Sequence, residues 1–127
     1  MSGTTYGPYS PVRQVGDMYY TAGHVGVNPT TGTADPDTTV QATQALENLK
    51  ATLAEAGLDM NNVVKTTVYV TNMDDFGAVN DVYVTYFGEP RPARSTVGVK
   101  ALPHVGGNVP LKIEIEAIAW RPTGHGG

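Results

Sequence analysis

One arginine and two glutamates stand inside runs of strand-forming residues. Arg94 opens a run that extends to about Lys100, and Glu114 and Glu116 alternate with isoleucines in a later run. A guanidinium forms two parallel hydrogen bonds to a carboxylate, so Arg94 can clamp a carboxylate substrate or form a cross-strand ion pair. A strand carboxylate such as Glu114 can orient a water and accept its proton, or be a solvated surface group. If the two strands are neighbours, Arg94 faces the glutamates.

The sequence shows no motif for thiol chemistry, for nucleotide binding or for metal-dependent catalysis. It has no cysteine, which excludes thiol nucleophiles, disulfides and Cys-ligated zinc. It contains no G-x-S-x-G elbow, no P-loop and no G-x-G-x-x-G motif. The histidines His24, His104 and His125 lack the spacing of a metal site, and we expect His24 to be a packed or surface side chain. We therefore predict neither a metal nor a cofactor.

Length and charge narrow the class of partner. We predict one domain over residues 1–127, with loose termini at about 1–5 and 122–127. Eight basic residues, scattered along the chain, stand against twelve acidic ones, and the formal net charge of −4 argues against nucleic acid as a partner. No run approaches the roughly 20 apolar residues of a membrane span, and the first residues lack a leader pattern. We predict a cytoplasmic protein with no membrane partner.

The candidate residues need a sheet to position them. Apolar and polar residues alternate with a period of two in several runs, which is typical of strands with one buried face. In the last run the isoleucines and alanines face one way and the two glutamates the other. The predicted strands are Met18–Ala22, Val63–Thr71, Arg94–Lys100 and Leu111–Trp120.

Two segments between these strands show helical periodicity instead. Apolar stripes predict helices over about Thr38–Ala56 and Asp74–Phe87. Asp37 or Thr38 is the predicted N-cap of the first helix, and Gly57 follows its end. This order of elements predicts an α+β fold with a mixed, mainly antiparallel sheet and two helices packed on one face. The uncovered face of such a sheet invites a partner.

Seven short segments, taken in order, carry a family resemblance. The last two are P-A-R-S-T-V at 92–97 and K-I-E-I-E-A-I-A at 112–119. The others are Y-G-P-Y-S at 6–10, N-P-T-T-G at 28–32, L-E-N-L-K at 46–50, V-V-K-T-T-V-Y-V at 63–70 and D-F-x-x-V-N at 75–80. From about Tyr6 to Arg121 the chain thus resembles the Rid family of reactive-intermediate deaminases, the YjgF-like proteins. The resemblance implies a chorismate-mutase-like fold and a homotrimer with its sites at subunit interfaces.

The resemblance also implies roles for five residues. Arg94 would hold the substrate carboxylate, and Glu114 would position a water, with Glu116 only its neighbour. Tyr9 would line the pocket, and the backbone groups of Gly23 and Thr96 would contact the ligand. Many close family members have cysteine at the position of Thr96, so threonine there is tolerable if the backbone N–H makes the contact.

The activity implied by the resemblance is hydrolytic deamination of enamines and imines of the 2-aminoacrylate and 2-iminopropionate type, which gives 2-keto acids and ammonia. Three alternatives remain open. The first is a non-catalytic trimer that binds a 2-keto or amino acid. The second is a deaminase of a different catabolic enamine, since the loops at 88–92 and 104–110 depart from the family pattern. The third is a ribonuclease, which the acidic balance disfavours most.

Overall fold

The protein, in a computed structural model that describes residues 5–106 and 108–122, folds into a layer of helices on a sheet. Two α-helices, α1 and α2, alternate with eight strands in the described ranges. The helices are α1 at Thr38–Glu55 and α2 at Phe76–Tyr83. The strands are β1 at Val12–Val15, β2 at Met18–Thr21, β3 at His24–Val25, β4 at Val27–Asn28, β5 at Thr33–Ala34, β6 at Val63–Val70, β7 at Ala93–Gly98 and β8 at Ile113–Trp120.

The main sheet is mixed and mainly antiparallel, as predicted. Its strand order is β1-β2-β8-β6-β7, and β3 pairs with another part of β8. Only the β6–β7 pair in this sheet is parallel, while β4 and β5 form a separate antiparallel hairpin. Because β7 pairs on one side only, its other edge is free in the described chain. Because β6 lies between β7 and β8, the strands of Arg94 and Glu114 are not neighbours.

The first helix forms where its caps predict. The carboxylate of Asp37 accepts a hydrogen bond from the Val40 N–H at 3.0 Å, so Asp37 is the N-cap. Gly57 follows the C-cap with a φ of +79°, a conformation that favours glycine. The predicted bounds of the second helix were too wide. Residues 73–75 form a 3₁₀ turn before α2, and residues beyond Tyr83 continue as turns.

The core lies between the two helices and one face of the sheet. Alternate residues of β6 and β8 face the helices and are buried, and the intervening residues face away and are half-buried. Val68, Ile113 and Ile115 of the sheet pack there with Leu46 and Leu49 of α1, and each of the five is at most 1% exposed. No helix of residues 5–106 and 108–122 covers the opposite face, and we call it the open face. It holds the side chains of Glu114 and Glu116.

Predictions about the two ends of the chain can also be compared with the structure. Strand β1 at Val12–Val15 is absent from the predicted strands. The predicted loose termini fall largely on residues 1–4 and 123–127, which lie outside the described residues. Within the described residues, no helix combines the length and hydropathy needed to cross a bilayer.

Leu49→Ala should lower the stability of this core. Leu49 is fully buried on α1, and removing three carbons leaves a cavity that the neighbouring side chains only partly fill. We expect the free energy of unfolding to fall by about 3 kcal/mol. Urea unfolding at one fixed protein concentration measures it. The matched control is the exposed neighbour Lys50→Ala, which should change stability by less than about 0.5 kcal/mol. Equal effects of the two substitutions would contradict the packing described here.

Candidate active site

Three of the predicted site residues line one cavity on the open face. The cavity has a volume of about 280 Å³, and Tyr9, Gly23 and Glu114 are among its lining residues. Tyr9 precedes β1, and its hydroxyl accepts a hydrogen bond from the Tyr6 N–H at 3.2 Å. Gly23 lies between β2 and β3, and Glu114 lies on β8 opposite Val25. We call this cavity the glutamate pocket.

Glu114 is the carboxylate of the glutamate pocket, and its surroundings favour the protonated form. Burial raises the pKa of Glu114 above its ordinary value, and the nearby charge of Glu116 raises it further. Tyr69, paired with Glu114 across β6 and β8, also has a raised pKa, caused by burial and by the two glutamates. A carboxylate whose pKa is raised in this way is a stronger base than an ordinary one, so once ionised it accepts a proton more readily. That property suits a group that accepts a proton from water.

The backbone of Gly23 packs directly against the Glu114 carboxylate. A Cβ built on Gly23 would lie only 1.9 Å from Glu114 Oε2 and 2.7 Å from its carboxyl carbon. No side chain fits there unless the carboxylate moves. The absence of a Cβ therefore sets where the carboxylate lies in the glutamate pocket.

Gly23→Ala should consequently displace Glu114 and lower activity. Because the carboxylate must rotate away from its present position, we expect kcat/KM to fall by about 100-fold, a size typical of misplacing a catalytic group by about 1 Å. Steady-state kinetics measure the loss. Gly77→Ala is the control, since a Cβ on Gly77 meets no atom within 4 Å. An unchanged rate in Gly23→Ala would show that the position of the carboxylate is unimportant.

His24 anchors the segment that carries Gly23. His24 was predicted to be either packed or on the surface, and the structure shows it packed and buried. Both ring nitrogens have hydrogen-bond partners at 2.8 Å. The carbonyl of Ala22 can only accept, so Nδ1 carries the proton and Nε2 accepts from the Thr52 hydroxyl of α1. Burial lowers the pKa of His24, which favours this neutral form. The link ties the backbone beside Gly23 to the first helix.

Arg94 lies on the other face of the sheet, beneath the helices. It pairs with Thr66, a buried residue whose hydroxyl is 2.7 Å from the Tyr83 hydroxyl of α2. Its guanidinium carbon lies 4.7 Å from the ring centroid of Tyr83 and 5.5 Å from that of Phe76. Stacking on two aromatic rings orients the planar guanidinium without consuming its hydrogen-bond donors.

The cross-strand ion pair, one of the two interpretations of Arg94, does not form. Within residues 5–106 and 108–122 the ion pair that forms is on the surface, with Arg91 Nη1 2.6 Å from Glu89 Oε2. No carboxylate of these residues lies within ion-pair distance of Arg94. The guanidinium also makes no hydrogen bond to another described residue. A half-buried arginine with oriented and unused donors has the properties of a binding group for an anionic ligand.

Asn80 is a candidate that the sequence interpretation missed. Its Oδ1 is buried and accepts no hydrogen bond from the described residues. Asn80 lies four residues after Phe76 and three before Tyr83, so all three share the face of α2 beside Arg94. A buried acceptor without a partner costs free energy unless a ligand or water supplies a donor. We call Phe76, Asn80, Tyr83 and Arg94, together with Thr96, the arginine half-site.

Thr96 offers its backbone at the free edge of β7. Val99 donates its N–H to the Val70 carbonyl, toward β6. Because backbone N–H groups alternate along a strand, the Thr96 N–H points the opposite way, to the free edge. Its side chain faces the helices, since Thr96 pairs with buried Val68. A ligand at the edge can therefore be bound by the backbone, whatever the side chain is.

The expectation that Arg94 faces the glutamates is wrong for a single chain. Thr66 and Arg94 face the helices, whereas Tyr69 and Glu114 face the open side. The sheet itself separates the two groups, with β6 between their strands. One chain thus carries two separate parts of a site, the glutamate pocket and the arginine half-site.

No group of three His, Asp or Glu side chains among the described residues has the arrangement of a metal site. The chemistry available to the chain itself is that of an arginine, two glutamates, tyrosine hydroxyls and backbone amides. These groups can bind a small carboxylate and move a proton to or from water. They place the chain among small α+β proteins whose side chains are suited to a carboxylate ligand.

Comparison with known proteins identifies the family to which the chain belongs. The family described as Endoribonuclease L-PSP, which is the YjgF/Rid family, matches residues 3–121. The chain belongs to this family, which confirms the resemblance. A mouse protein named 2-iminobutanoate/2-iminopropanoate deaminase is 48% identical over 114 residues, 89% of this chain and 81% of the relative. The protein of that name from Escherichia coli K12 is 45% identical over 118 residues, 91% of this chain and 88% of the relative.

A solved structure shows the same fold with a ligand present. Escherichia coli TdcF with bound serine superposes with a TM-score of 0.86 at 39% identity, and the match covers 94% of this chain and 93% of that one. Serine is a small amino acid with a carboxylate and a nitrogen on the same carbon. TdcF thus binds a ligand of the chemical kind for which the arginine half-site has free donors.

Proposed function

We propose that the protein is a hydrolytic deaminase of 2-imino acids, which converts compounds of the 2-iminopropanoate type to 2-keto acids and ammonia. The observation that carries the proposal is the state of Arg94, whose guanidinium is oriented by two rings and has no described acceptor. The names of the mouse and Escherichia coli relatives support the choice of substrate. The raised pKa of Glu114 supports a role in proton transfer.

The proposed reaction needs few groups, because the imine carbon is already electrophilic. Arg94 binds the substrate carboxylate through two hydrogen bonds and fixes the C=N carbon in space. Glu114 orients a water and accepts its proton as the new C–O bond forms, and it then returns this proton to the nitrogen. Collapse of the resulting carbinolamine moves the hydroxyl proton to the nitrogen, forms the keto C=O bond, breaks the C–N bond and releases ammonia. An enamine substrate enters after tautomerising to the imine.

Asn80 and Thr96 complete the proposed contacts around Arg94. The Oδ1 of Asn80 is an unused acceptor, and we assign it to an N–H of the bound substrate. The Thr96 N–H at the edge of β7 donates to a substrate oxygen. Since this contact is made by the backbone, threonine serves in the place of the cysteine common in the family.

The proposed active site requires two copies of the chain. Arg94 and Glu114 lie on opposite faces of one sheet, so no substrate can touch both within a chain. A cyclic assembly in which the β7 edge of one copy meets the glutamate pocket of the next brings them together. We propose that this assembly is a homotrimer with one site at each interface.

The open face supports this assembly. At the end of the face away from Glu114 it exposes a group of large apolar side chains, which a lone copy leaves in water. Neighbouring copies would cover such a patch. The group comprises Val15 at 62% exposure, Tyr20 at 45% and Trp120 at 47%, with Met18 and Ile118 beside them.

Turnover is the property that separates a deaminase from a binding protein. An amino-acid oxidase generates 2-imino acids in the presence of the protein, and semicarbazide traps the imine that survives. We expect the protein to lower the trapped imine and raise free ammonia for at least one small imino acid. If no imine decays faster while calorimetry detects 2-keto acid binding, the protein is a ligand-binding trimer instead.

The same preparation tests the activity named in the family description. With twelve acidic and eight basic residues, the chain lacks the concentrated positive charge that phosphate binding needs. We expect no cleavage of single-stranded RNA under conditions where imine hydrolysis is fast. RNA cleavage that tracks the protein through purification and is lost in Arg94→Ala would replace the proposed function.

A further inference from the structure

The glutamate pocket has apolar lining residues as well as its carboxylate. Pro103 and Val105, from the loop between β7 and β8, line the cavity together with Val25 of β3 and Ala22. None of these side chains can hydrogen-bond or carry charge. A ligand in the pocket therefore meets the Glu114 carboxylate, the side chains of Tyr6 and Tyr9, and an apolar surface formed in part by this loop.

This apolar surface belongs to a small hydrophobic core that is separate from the main one. Val25, Val27, Ala34 and Leu111 are its buried members. The side chains of Leu102, Val105 and Val109 pack against them from the loop. Val105 thus has two surroundings, since it packs in this core and also lines the pocket. Val109 packs in the core but is not a lining residue of the pocket.

Two hydrogen bonds from one side chain attach this loop to the β4–β5 hairpin. The Asn108 amide accepts from the Ala34 N–H at 3.0 Å and donates to the Ala34 carbonyl at 2.6 Å. Both bonds satisfy backbone groups at the outer edge of β5, as a neighbouring strand would. Gly106 has a φ of +82°, and a Cβ there would lie 2.9 Å from Val27 Cγ2. The backbone of the loop therefore lies directly on the hairpin.

We propose that Val105, with Pro103, is the specificity-determining wall of the site, which contacts the side chain on C2 of the imino acid and limits its length. The inference rests on the proposed function, because it uses the position of the substrate between Arg94 and Glu114. With the carboxylate on Arg94 and water on Glu114, the C2 side chain points away from both groups. Among the apolar surfaces of the pocket we assign the one formed by Val105 and Pro103 to this side chain, and this surface favours aliphatic groups.

The size of the cavity makes this wall decisive. The cavity of one chain has a volume of about 280 Å³, just below the range of about 300–1,000 Å³ for small-molecule sites, and in the proposed assembly the next copy closes it. In a pocket of this size one added or removed methylene changes the preference between two substrates by about 10-fold or more. Small changes at Val105 should therefore alter which imino acid reacts fastest.

The test compares substrate preference among variants of the full-length protein. Imino acids are generated from alanine, 2-aminobutyrate and norleucine, and kcat/KM is measured for each by semicarbazide trapping. We expect Val105→Ala to raise the ratio of norleucine-derived to alanine-derived kcat/KM by about 10-fold, and Val105→Leu to lower it by about 10-fold. Val109→Ala, which perturbs the same small core without lining the pocket, should keep the wild-type ratio within about twofold.

The ratio separates this inference from the proposed function. If wild type turns over imines but both Val105 variants keep its ratio, the wall does not determine specificity and the inference is wrong. A shift in Val109→Ala as large as that in Val105→Ala would also overturn it, since loop packing rather than contact would be the cause. If wild type hydrolyses no imine, the proposed function itself fails, and this inference fails with it.

Discussion

Arg94→Ala should lower kcat/KM for 2-imino acids by about 100-fold to 1,000-fold, because it removes two charge-assisted hydrogen bonds to the substrate carboxylate. Arg94→Lys should lose most of the same activity, since an ammonium cannot present two parallel donors. The guanidinium has no acceptor among the described residues, so little stability should be lost beyond its stacking on Phe76 and Tyr83. Steady-state kinetics and urea unfolding of the same samples measure the two effects.

The matched control for Arg94 lies three residues earlier. Arg91 is exposed and pairs with Glu89 on the surface, so Arg91→Ala removes the same charge from the same segment. We expect it to keep activity within about twofold of wild type, as surface ion pairs contribute little. Full activity in Arg94→Ala, or an equal loss in both variants, would remove Arg94 from the site.

Glu114→Gln should lower kcat by about 100-fold to 10,000-fold with little change in KM, since an amide can orient water but cannot accept its proton. The side chains are nearly the same size, so the glutamate pocket keeps its shape. A rise in KM of similar size would indicate that Glu114 binds substrate rather than acting on water. The control is Glu116→Gln on the same face, which should retain most of the activity at neutral pH.

The raised pKa of Glu114 also sets the pH dependence of the rate. Activity requires the ionised carboxylate, so kcat should rise with pH through this pKa, above the range of an ordinary glutamate. Glu116→Gln removes the smaller of the two causes of the shift. We therefore expect the acidic limb of its pH–rate profile to move to lower pH, though not to the ordinary value, because burial remains. An acidic limb at the same pH in both proteins would contradict the coupling.

The same shift has a consequence for stability. A carboxyl whose pKa is higher in the folded than in the unfolded state binds more protons when folded, so its ionisation lowers stability as the pH rises through the folded pKa. Glu114→Gln cannot ionise and should be more stable than wild type at neutral pH. The gain should disappear as the pH falls below the ordinary glutamate range, where both forms of residue 114 are neutral. Thermal unfolding across this pH range measures the difference.

Much of the fold could be predicted from local patterns. The alternation in Leu111–Trp120 assigns the isoleucines to the core and the glutamates to the other face, and the structure agrees. Asp37 and Gly57 mark the ends of the first helix because capping depends on chemistry within one turn. Strand β1 was missed because its four residues Val12–Val15 show no clear alternation between the flanking prolines and glycine.

The relation between Arg94 and Glu114 could not be predicted in the same way. Alternation shows which residues of one strand share a face, but it does not show the order of strands in the sheet. The insertion of β6 between β7 and β8 is a tertiary property of the whole chain. Asn80 has a local signal, since it shares a helix face with Phe76 and Tyr83, but an asparagine within a helix is ordinary until its Oδ1 is found buried without a donor.

In the proposed trimer, each active site combines Arg94 of one copy with Glu114 of another. Arg94→Ala and Glu114→Gln proteins, each nearly inactive, are unfolded together, refolded as a one-to-one mixture and assayed for imine hydrolysis. If copies mix at random, about one quarter of the interfaces join an intact Arg94 to an intact Glu114, so activity should return to about one quarter of wild type. A mixture that stays as inactive as its components would contradict the shared site.

A second mixture serves as the control for random assembly. The double variant with both substitutions is refolded with an equal amount of wild type. Shared sites predict about one quarter of the activity of an all-wild-type sample, whereas sites contained within one chain predict about one half. We expect both mixtures to show about one quarter of the activity of an all-wild-type sample. No recovery in the first mixture and one half in the second would show that each chain carries its own complete site.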